Sequence, residues 1–243
     1  MGKFKIVGKD AFSFAQYLMT NDLNRIKQGQ GIYTCFCDDG GGIVDDIIIY
    51  WLADDEFYFI TNTLSRERVA TWLKKVKRNK KFAAHIFDVT NTIAYAAVQG
   101  PKSAKMMLEL FDDVIKKIRY FEFTNVYLRN VPIMIARTGY TGELGYELNF
   151  PSEFGHTIWG HLLEVGKAYG IKPVGGQAIQ ILRTEKSYRS HGTDMTEKTN
   201  PFEAGIDWAL RLDKEEFAGK EALIKFKENG VEKKFCGFEV HFC

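Results

Sequence analysis

FKIVGKDAFSFAQYL, Phe4 to Leu18, and AAVQGPKSAKMMLEL, Ala96 to Leu110, are one pattern written twice, about ninety residues apart. Each opens on a short apolar strand and turns at a glycine, Gly8 or Gly100. A lysine and an alanine follow, and then a stretch with apolar residues at helical spacing. Each copy continues with a strand, a turn, a second strand and a second helix, over Ile43 to Val76 in the first and Val131 to Val165 in the second. Self-similarity of this local kind predicts two related βα-containing halves. The apolar period switches repeatedly between two and three-to-four, so the fold class is α+β. The first half covers about residues 1–90, the second about 91–170, and a return segment about 171–243. Halves packed face to face would set the inner ends of their sheets around a shared central cleft suited to a small ligand.

Within the first half, Phe4 to Val7 reads as a strand and Asp10 to Met19 as a helix capped by Asp10. Ile32 to Cys37 and Ile43 to Trp51 are strands joined through Asp38-Asp39-Gly40-Gly41-Gly42, a hairpin signal. Glu56 to Thr61 is the next strand. Ser65 to Lys77 is a helix that Ser65 caps, with Arg66, Glu67 and Arg68 on its wet side. The basic run Lys74 to Lys81 follows apolar Val69, Trp72, Leu73 and Val76, which makes it the solvated end of an amphipathic helix.

The bulk properties exclude several classes. Apolar residues make up 45% of the 243 and charged residues 26%, as in ordinary globular proteins. A net charge of +2 offers no general attraction to nucleic acid. No run approaches the length of a membrane span and no secretory signal opens the chain, so the expectation is a soluble protein of the cytoplasm, or of the mitochondrial matrix in a eukaryote. The four cysteines, Cys35, Cys37, Cys236 and Cys243, have neither paired metal-ligand spacing nor disulfide-scaffold density. Cys35 and Cys37 stand two apart in a strand and share a face, which points to packing and not to a metal. No Gly-rich dinucleotide fingerprint is present.

The densest motif is RTGYTGELGYEL, Arg137 to Leu148. Gly139, Gly142 and Gly145 let the backbone approach something closely, and Tyr140 and Tyr146 offer flat faces for stacking a heteroaromatic ring. Glu147, between apolar Tyr146 and Leu148, is a carboxylate that burial would oblige to find a partner. Asp45-Asp46, ahead of an apolar strand, is by itself a pair of edge acids, but strand alternation turns one of the two inward. Of the five histidines only His191 lies in a motif, before Gly192-Thr193-Asp194, where a surface or packing role suffices.

RTGYTGELGYEL resembles the signature segment of the folate-binding aminomethyltransferase family, the T-proteins of glycine cleavage. YLMTNDL, GGGIVDDIIIY and Asn62 after FYFIT are similar to that family's first half, QGPKSAK to its middle, and Gly192 to Leu223 to its next block. The resemblance implies tetrahydrofolate as cofactor, with Asp46 the catalytic carboxylate beside its reacting nitrogens. It places Tyr33, Tyr50, Asn62, Tyr120, Tyr140 and Glu147 along the folate pocket, with Glu147 reading the pterin edge. The implied reaction moves the aminomethyl group from the lipoyl arm of an H-protein, giving methylenetetrahydrofolate and ammonia.

Two departures go with it. Where T-proteins carry an arginine for the folate tail this chain has Ile179, which passes the role to another cation such as Arg183 or Arg189. The stretch 174–189, with LRTEK, is instead similar to the folate domain of sarcosine and dimethylglycine dehydrogenases. A folate-dependent demethylase of a small methylated metabolite and a non-catalytic folate-binding regulator are the remaining alternatives. Family members also begin some tens of residues before the position of Met1 and end in a carboxyl-terminal barrel with no counterpart before Cys243.

Overall fold

Both sheets repeat one wiring. In chain order the elements are β1 (Lys3–Val7), α1 (Ala11–Leu18), β2 (Gly31–Cys37), β3 (Ile43–Ala53), β4 (Glu56–Ile60), α2 (Arg66–Lys80), β5 (His85–Asp88), β6 (Ile93–Gln99), α3 (Ser103–Phe111), α4 (Val114–Lys117), β7 (Phe123–Leu128), β8 (Val131–Ala136), β9 (Gly145–Pro151), α5 (Gly155–Gly166), α6 (Gly176–Glu185) and α7 (Lys220–Asn229). The structure, a computed structural model, describes residues 1–240; Cys243 lies outside the described residues. The first sheet runs β2-β3-β4-β1-β5, and the second, read from its far end, runs β7-β8-β9-β6. In each, the strand that enters the first helix lies antiparallel to the strand that enters the second, β1 on β4 and β6 on β9. That second strand also pairs with its hairpin neighbour, β3 or β8. The α+β class and the related halves are therefore present in the topology, and the first sheet adds β5 beside β1.

The chain forms two units. One holds residues 1–28, 32–88 and everything from Arg189 onward, and the other holds 29–31 and 89–188. In the first unit, Val69, Trp72, Leu73 and Val76 bury one stripe of α2 against Phe4, Ile6, Phe57 and Phe59 of the sheet and Phe14 and Leu18 of α1. Each such side chain withdrawn from water contributes roughly 1.5–3 kcal/mol. The second unit has its own core, in which Ala96, Val98, Ile133, Ile135, Leu148 and Phe150 from the sheet meet Met106, Met107, Ile158 and Leu162 from α3 and α5. A third cluster belongs to the first unit: Cys35, Cys37 and Ile43 pack on Met195, Ile206, Leu210, Phe217 and Leu223 of the return segment. Cys35 and Cys37 are free, buried thiols used for packing.

Three expectations about helix ends are corrected. Asp10 precedes α1 with φ −101° and ψ 18°, outside the extended geometry of a capping residue, and makes no cap bond. Its Oδ2 instead accepts the N–H of Ala83 at 2.7 Å, tying down the loop before β5. Ser65 is already turned into a helical conformation, with φ −92° and ψ −10°, so it cannot cap α2 either. That helix runs past Lys77 to Lys80, because Lys77, Arg78 and Lys80 in its last turn complement the partial negative charge of a helix carboxyl end. Arg68, expected on the wet side, is half-buried and donates from Nε to the carbonyl of Val44 at 3.0 Å.

Candidate functional site

Asp45 and Asp46 sit where β3 loses its alternation. Ile47 and Ile49 point into the first unit's core, yet so does Val44, so the parity slips by one across the two acids. A slip of this kind re-aims side chains, and here both carboxylates reach the same amide. Asn62 Nδ2 donates to Asp45 Oδ1 and to Asp46 Oδ1, each at 2.9 Å. Of the two acids, one of which strand alternation was expected to turn inward, Asp45 is the one wholly buried and Asp46 is half-buried, although both reach the same amide. Asp46 Oδ2 accepts the phenol O–H of Tyr33 at 3.0 Å, and the Tyr33 ring stacks on Trp208 with centroids 5.0 Å apart. Burial first, and then the charge of Asp45, push the Asp46 carboxyl up from its ordinary 3.8 to about 7. An acid so placed can both accept and release a proton near neutral pH.

Behind the pair lies a hydrogen-bonded layer. Asp45, fully buried, accepts the backbone N–H of Asn62 at 2.9 Å and the hydroxyl of Ser65. Arg68 Nη2 donates to Ser65 Oγ at 2.8 Å and lies 2.9 Å from His191 Nδ1. His191 Nε2 lies 2.9 Å from the carbonyl of Ile43. A carbonyl only accepts, so the tautomer that satisfies both contacts carries its proton on Nε2 and accepts from Arg68 at Nδ1. His191 is thus a buried packing residue.

The second unit holds a different carboxylate. In β9 the even residues Tyr146, Leu148 and Phe150 face the core, so Glu147 and Asn149 face the other way, and both are nonetheless buried. Glu147 accepts from Tyr95 Oη and, at 2.5 Å, from Thr138 Oγ1. These are the partners its burial demands, and both come from the protein. Tyr140 stacks on Tyr188 at 5.9 Å, and Tyr120, 59% exposed, hydrogen-bonds Tyr188. Burial first, then Tyr188 and Glu147, raise the Tyr120 phenol to about 12, so it stays a donor.

Gly139 and Gly145 do permit a close approach, and what approaches is the side chain of Gln99. A Cβ on Gly139 would lie 1.9 Å from its Oε1, and one on Gly145 2.2 Å from its Cδ. Gln99 Nε2 bonds the carbonyl of Thr138 at 3.1 Å and so braces the motif. Gly145→Ala should cost about 1–3 kcal/mol of stability in urea unfolding through overpacking. Adding Gln99→Ala should restore most of that loss; a double variant no more stable than Gly145→Ala would show that Gln99 is not the obstacle.

Among the remaining predicted residues, Tyr50 is buried with its ring 6.2 Å from Tyr58. Arg183 is buried on α6, with Nε bonded to Gln180 Oε1 at 2.8 Å and Nη1 to the carbonyl of Tyr188 at 3.1 Å. Arg189, in the first unit, bonds the carbonyl of Ala204 and lies over the ring of Phe235 at 4.4 Å. Sequence reading missed Ser65, Arg68, Trp208, Tyr95 and Thr138. The signal for Tyr95 lies in the period of β6, where buried Ala96 and Val98 leave Tyr95 on the opposite face, but the β6–β9 register that brings it to Glu147 is a tertiary fact.

Fold and sites together define an α+β protein built on a duplicated sheet-and-helix unit, with a buried, donor-ringed carboxylate in each unit. The sequence model of the family described as GCVT N-terminal domain matches residues 1–214, and the chain belongs to that family. It is 37% identical over 241 residues to an aminomethyltransferase of Thermoanaerobacter sp. (strain X514), covering 99% of this chain and 65% of the relative. The aminomethyltransferase of Thermotoga maritima is 36% identical over 240 residues, with the same 65% of its length covered. The crystal structure of glycine cleavage system aminomethyltransferase T from Bartonella henselae superposes with a TM-score of 0.82 at 26% identity, over 94% of this chain and 61% of that one. A chain of the heterotetrameric sarcosine oxidase from Corynebacterium sp. U-96 shares the fold, with a TM-score of 0.50 at 14% identity over 72% of this chain and 83% of that one. The chain thus spans just under two thirds of the length of its aminomethyltransferase relatives. Among the described residues no helix is long and apolar enough to cross a membrane.

Proposed function

We propose that this chain binds tetrahydrofolate and serves the transfer of a one-carbon unit to it, as an aminomethyltransferase of glycine cleavage. On this reading the donor is an aminomethyl group on the lipoyl arm of an H-protein, and the products are methylenetetrahydrofolate and ammonia. The observation that carries it is Asp46: a half-buried acid poised near neutral pH, held by the Tyr33 phenol and the Asn62 amide, in a chain of this family.

The residues present suit a reduced pterin. Trp208 and Tyr33 stack on each other beside Asp46, and Tyr140 and Tyr188 form a second aromatic pair in the unit of Glu147. Tetrahydrofolate, when bound, supplies the nitrogen nucleophiles that take up the one-carbon unit. Asp46 holds or receives a proton at Oδ1 or Oδ2 and stabilises positive charge developing next to it. Tyr33 and Asn62 keep its carboxylate from rotating. Glu147 serves as acceptor for the N–H groups of a pterin edge, since a carboxylate accepts hydrogen bonds on both of its oxygens. Tyr50, Tyr120 and Tyr140 are assigned to the pocket lining, and Arg183 to the folate tail through the charge it keeps beside Tyr188.

Calorimetric titration with tetrahydrofolate tests the binding step. Glu147→Gln keeps the shape but exchanges one acceptor oxygen for a donor, and should weaken affinity about 10–100-fold, the cost of one charge-assisted hydrogen bond. Unaltered affinity in a folded variant would remove Glu147 from the site, and absence of any heat with the wild-type chain would remove the reading. The LRTEK stretch favours a second reading, a folate domain of a demethylating enzyme. Turnover from formaldehyde but not from a lipoyl-bound donor would select it.

A further inference from the structure

We propose that Asp45 is a positioning residue for Asp46: the two acids form one electrostatic unit through the Asn62 amide, with Ser65, Arg68 and His191 as its buried anchor. The inference rests on the assignment of Asp46 to the chemistry and adds a second acid that does not itself meet the substrate.

The geometry is specific. Asn62 has two amide protons, and they meet three acceptors: Asp45 Oδ1 at 2.9 Å, Asp46 Oδ1 at 2.9 Å and the Asp46 carbonyl at 3.2 Å. Rotation of that amide would aim its carbonyl oxygen at two carboxylates, so only one orientation is stable. The Asn62 backbone N–H also donates to Asp45 Oδ2 at 2.9 Å, so Asp45 grips Asn62 at two points while Asp46 is gripped by it. Asp45 in turn cannot move, because Ser65 donates to it while accepting Arg68 Nη2 at 2.8 Å, and Arg68 is itself held by the Val44 carbonyl and by His191. Three separated stretches, β3, the start of α2 and the return segment, converge on this one acid.

A residue that only filled space there would not need a charge. Asp45 is wholly buried, and burial raises its carboxyl above the ordinary value against the Asn62 and Ser65 donors, which favour the anion. The groups facing the pair are Tyr33 and the Cys35 thiol from β2, Arg68 from α2 and His191 from the return segment. Burial does most to hold a proton on Asp46 toward neutral pH, and the like charge of Asp45 adds to it. Coupled acids titrate as a pair, and the coupling is reciprocal.

The test needs no substrate, so it stands apart from the folate reading. Side-chain 13C-carboxyl resonances of the full chain, labelled on aspartate, are followed from pH 3 to 9 in the wild type, in Asp45→Asn and in Asp46→Asn. The pair should show two midpoints, the upper near 7. In Asp45→Asn the Asp46 midpoint should fall by about one pH unit or more, whereas in Asp46→Asn the Asp45 midpoint should stay near the lower wild-type value, because Asp45 gives up its proton while Asp46 is still neutral. If Asp45→Asn does not fold, the wild type decides, in which each of the two carboxyl carbons should show both midpoints. An Asp46 midpoint unmoved by Asp45→Asn, or single-step curves for both carboxyls in the wild type, overturns the proposal and leaves Asp45 a structural acid.

Discussion

Replacing Asp46 by asparagine is expected to slow single-turnover formation of methylenetetrahydrofolate by at least about 10²-fold, the usual scale for losing a positioned acid–base group. Tetrahydrofolate affinity should stay within a few-fold, because the ring contacts assigned to Tyr33, Tyr140 and Glu147 remain. The same variant carries a stability signature whose sign follows from burial. The Asp46 carboxyl ionises at about 7 in the folded chain and near 3.8 in the unfolded one, so between those values the folded state holds a proton that the unfolded state has released. Stability therefore falls as pH rises through that window, and the term is present in full only below it. Urea midpoints taken from pH 4 to 8 should decline more steeply for the wild type than for Asp46→Asn. Parallel lines would show that Asp46 ionises normally, and unchanged turnover would move the chemistry to another residue.

The duplicated strand-glycine-helix segments made the wiring readable, because each copy buries one face and the period-two and helical patterns therefore survive in the residues. The hairpin of β2 and β3 was equally plain from Asp38 to Gly42, a turn whose glycines leave few alternatives. Cap positions were less so. Asp10 and Ser65 have the right side chains for caps, but each is claimed by a distant group, the Ala83 amide and the Asp45 carboxylate, that local sequence does not reveal. Asp46 stood out only through the family likeness; the residues alone left Asp45-Asp46 as edge acids. What no pattern conveyed is the slip in β3 that swings both acids to Asn62, since such a slip changes no residue type. The partners of Glu147 stayed hidden for a related reason: Tyr95 reaches it through the β6–β9 register, which is fixed by tertiary packing.

Lys214→Met should lower stability by about 3 kcal/mol, and the melting temperature by roughly 6–12 °C for a chain of this size. Lys214 reads as an ordinary charged residue in a turn, yet its side chain is buried and its ammonium donates to three main-chain carbonyls: Gln16 at 2.6 Å, Asn21 at 2.7 Å and Met19. Three protons meet three acceptors, so methionine, which keeps the length of the stem, leaves a buried carbonyl at each. An unmet buried acceptor costs about 1–3 kcal/mol, and the relief of no longer burying a charge offsets part of the sum. The caged turn also supports the first site, for Asn21 bonds the Tyr33 carbonyl through Nδ2 and Thr34 Oγ1 through its backbone N–H. Loosening it frees the Tyr33 ring to leave Asp46, so the Asp46 carboxyl resonance should broaden in Lys214→Met. Arginine should not rescue either effect, because a planar guanidinium cannot direct three N–H groups into a pyramidal set of acceptors. A Lys214→Met chain as stable as the wild type would mean that the three carbonyls find other donors, and the cage would then have no part in holding Tyr33.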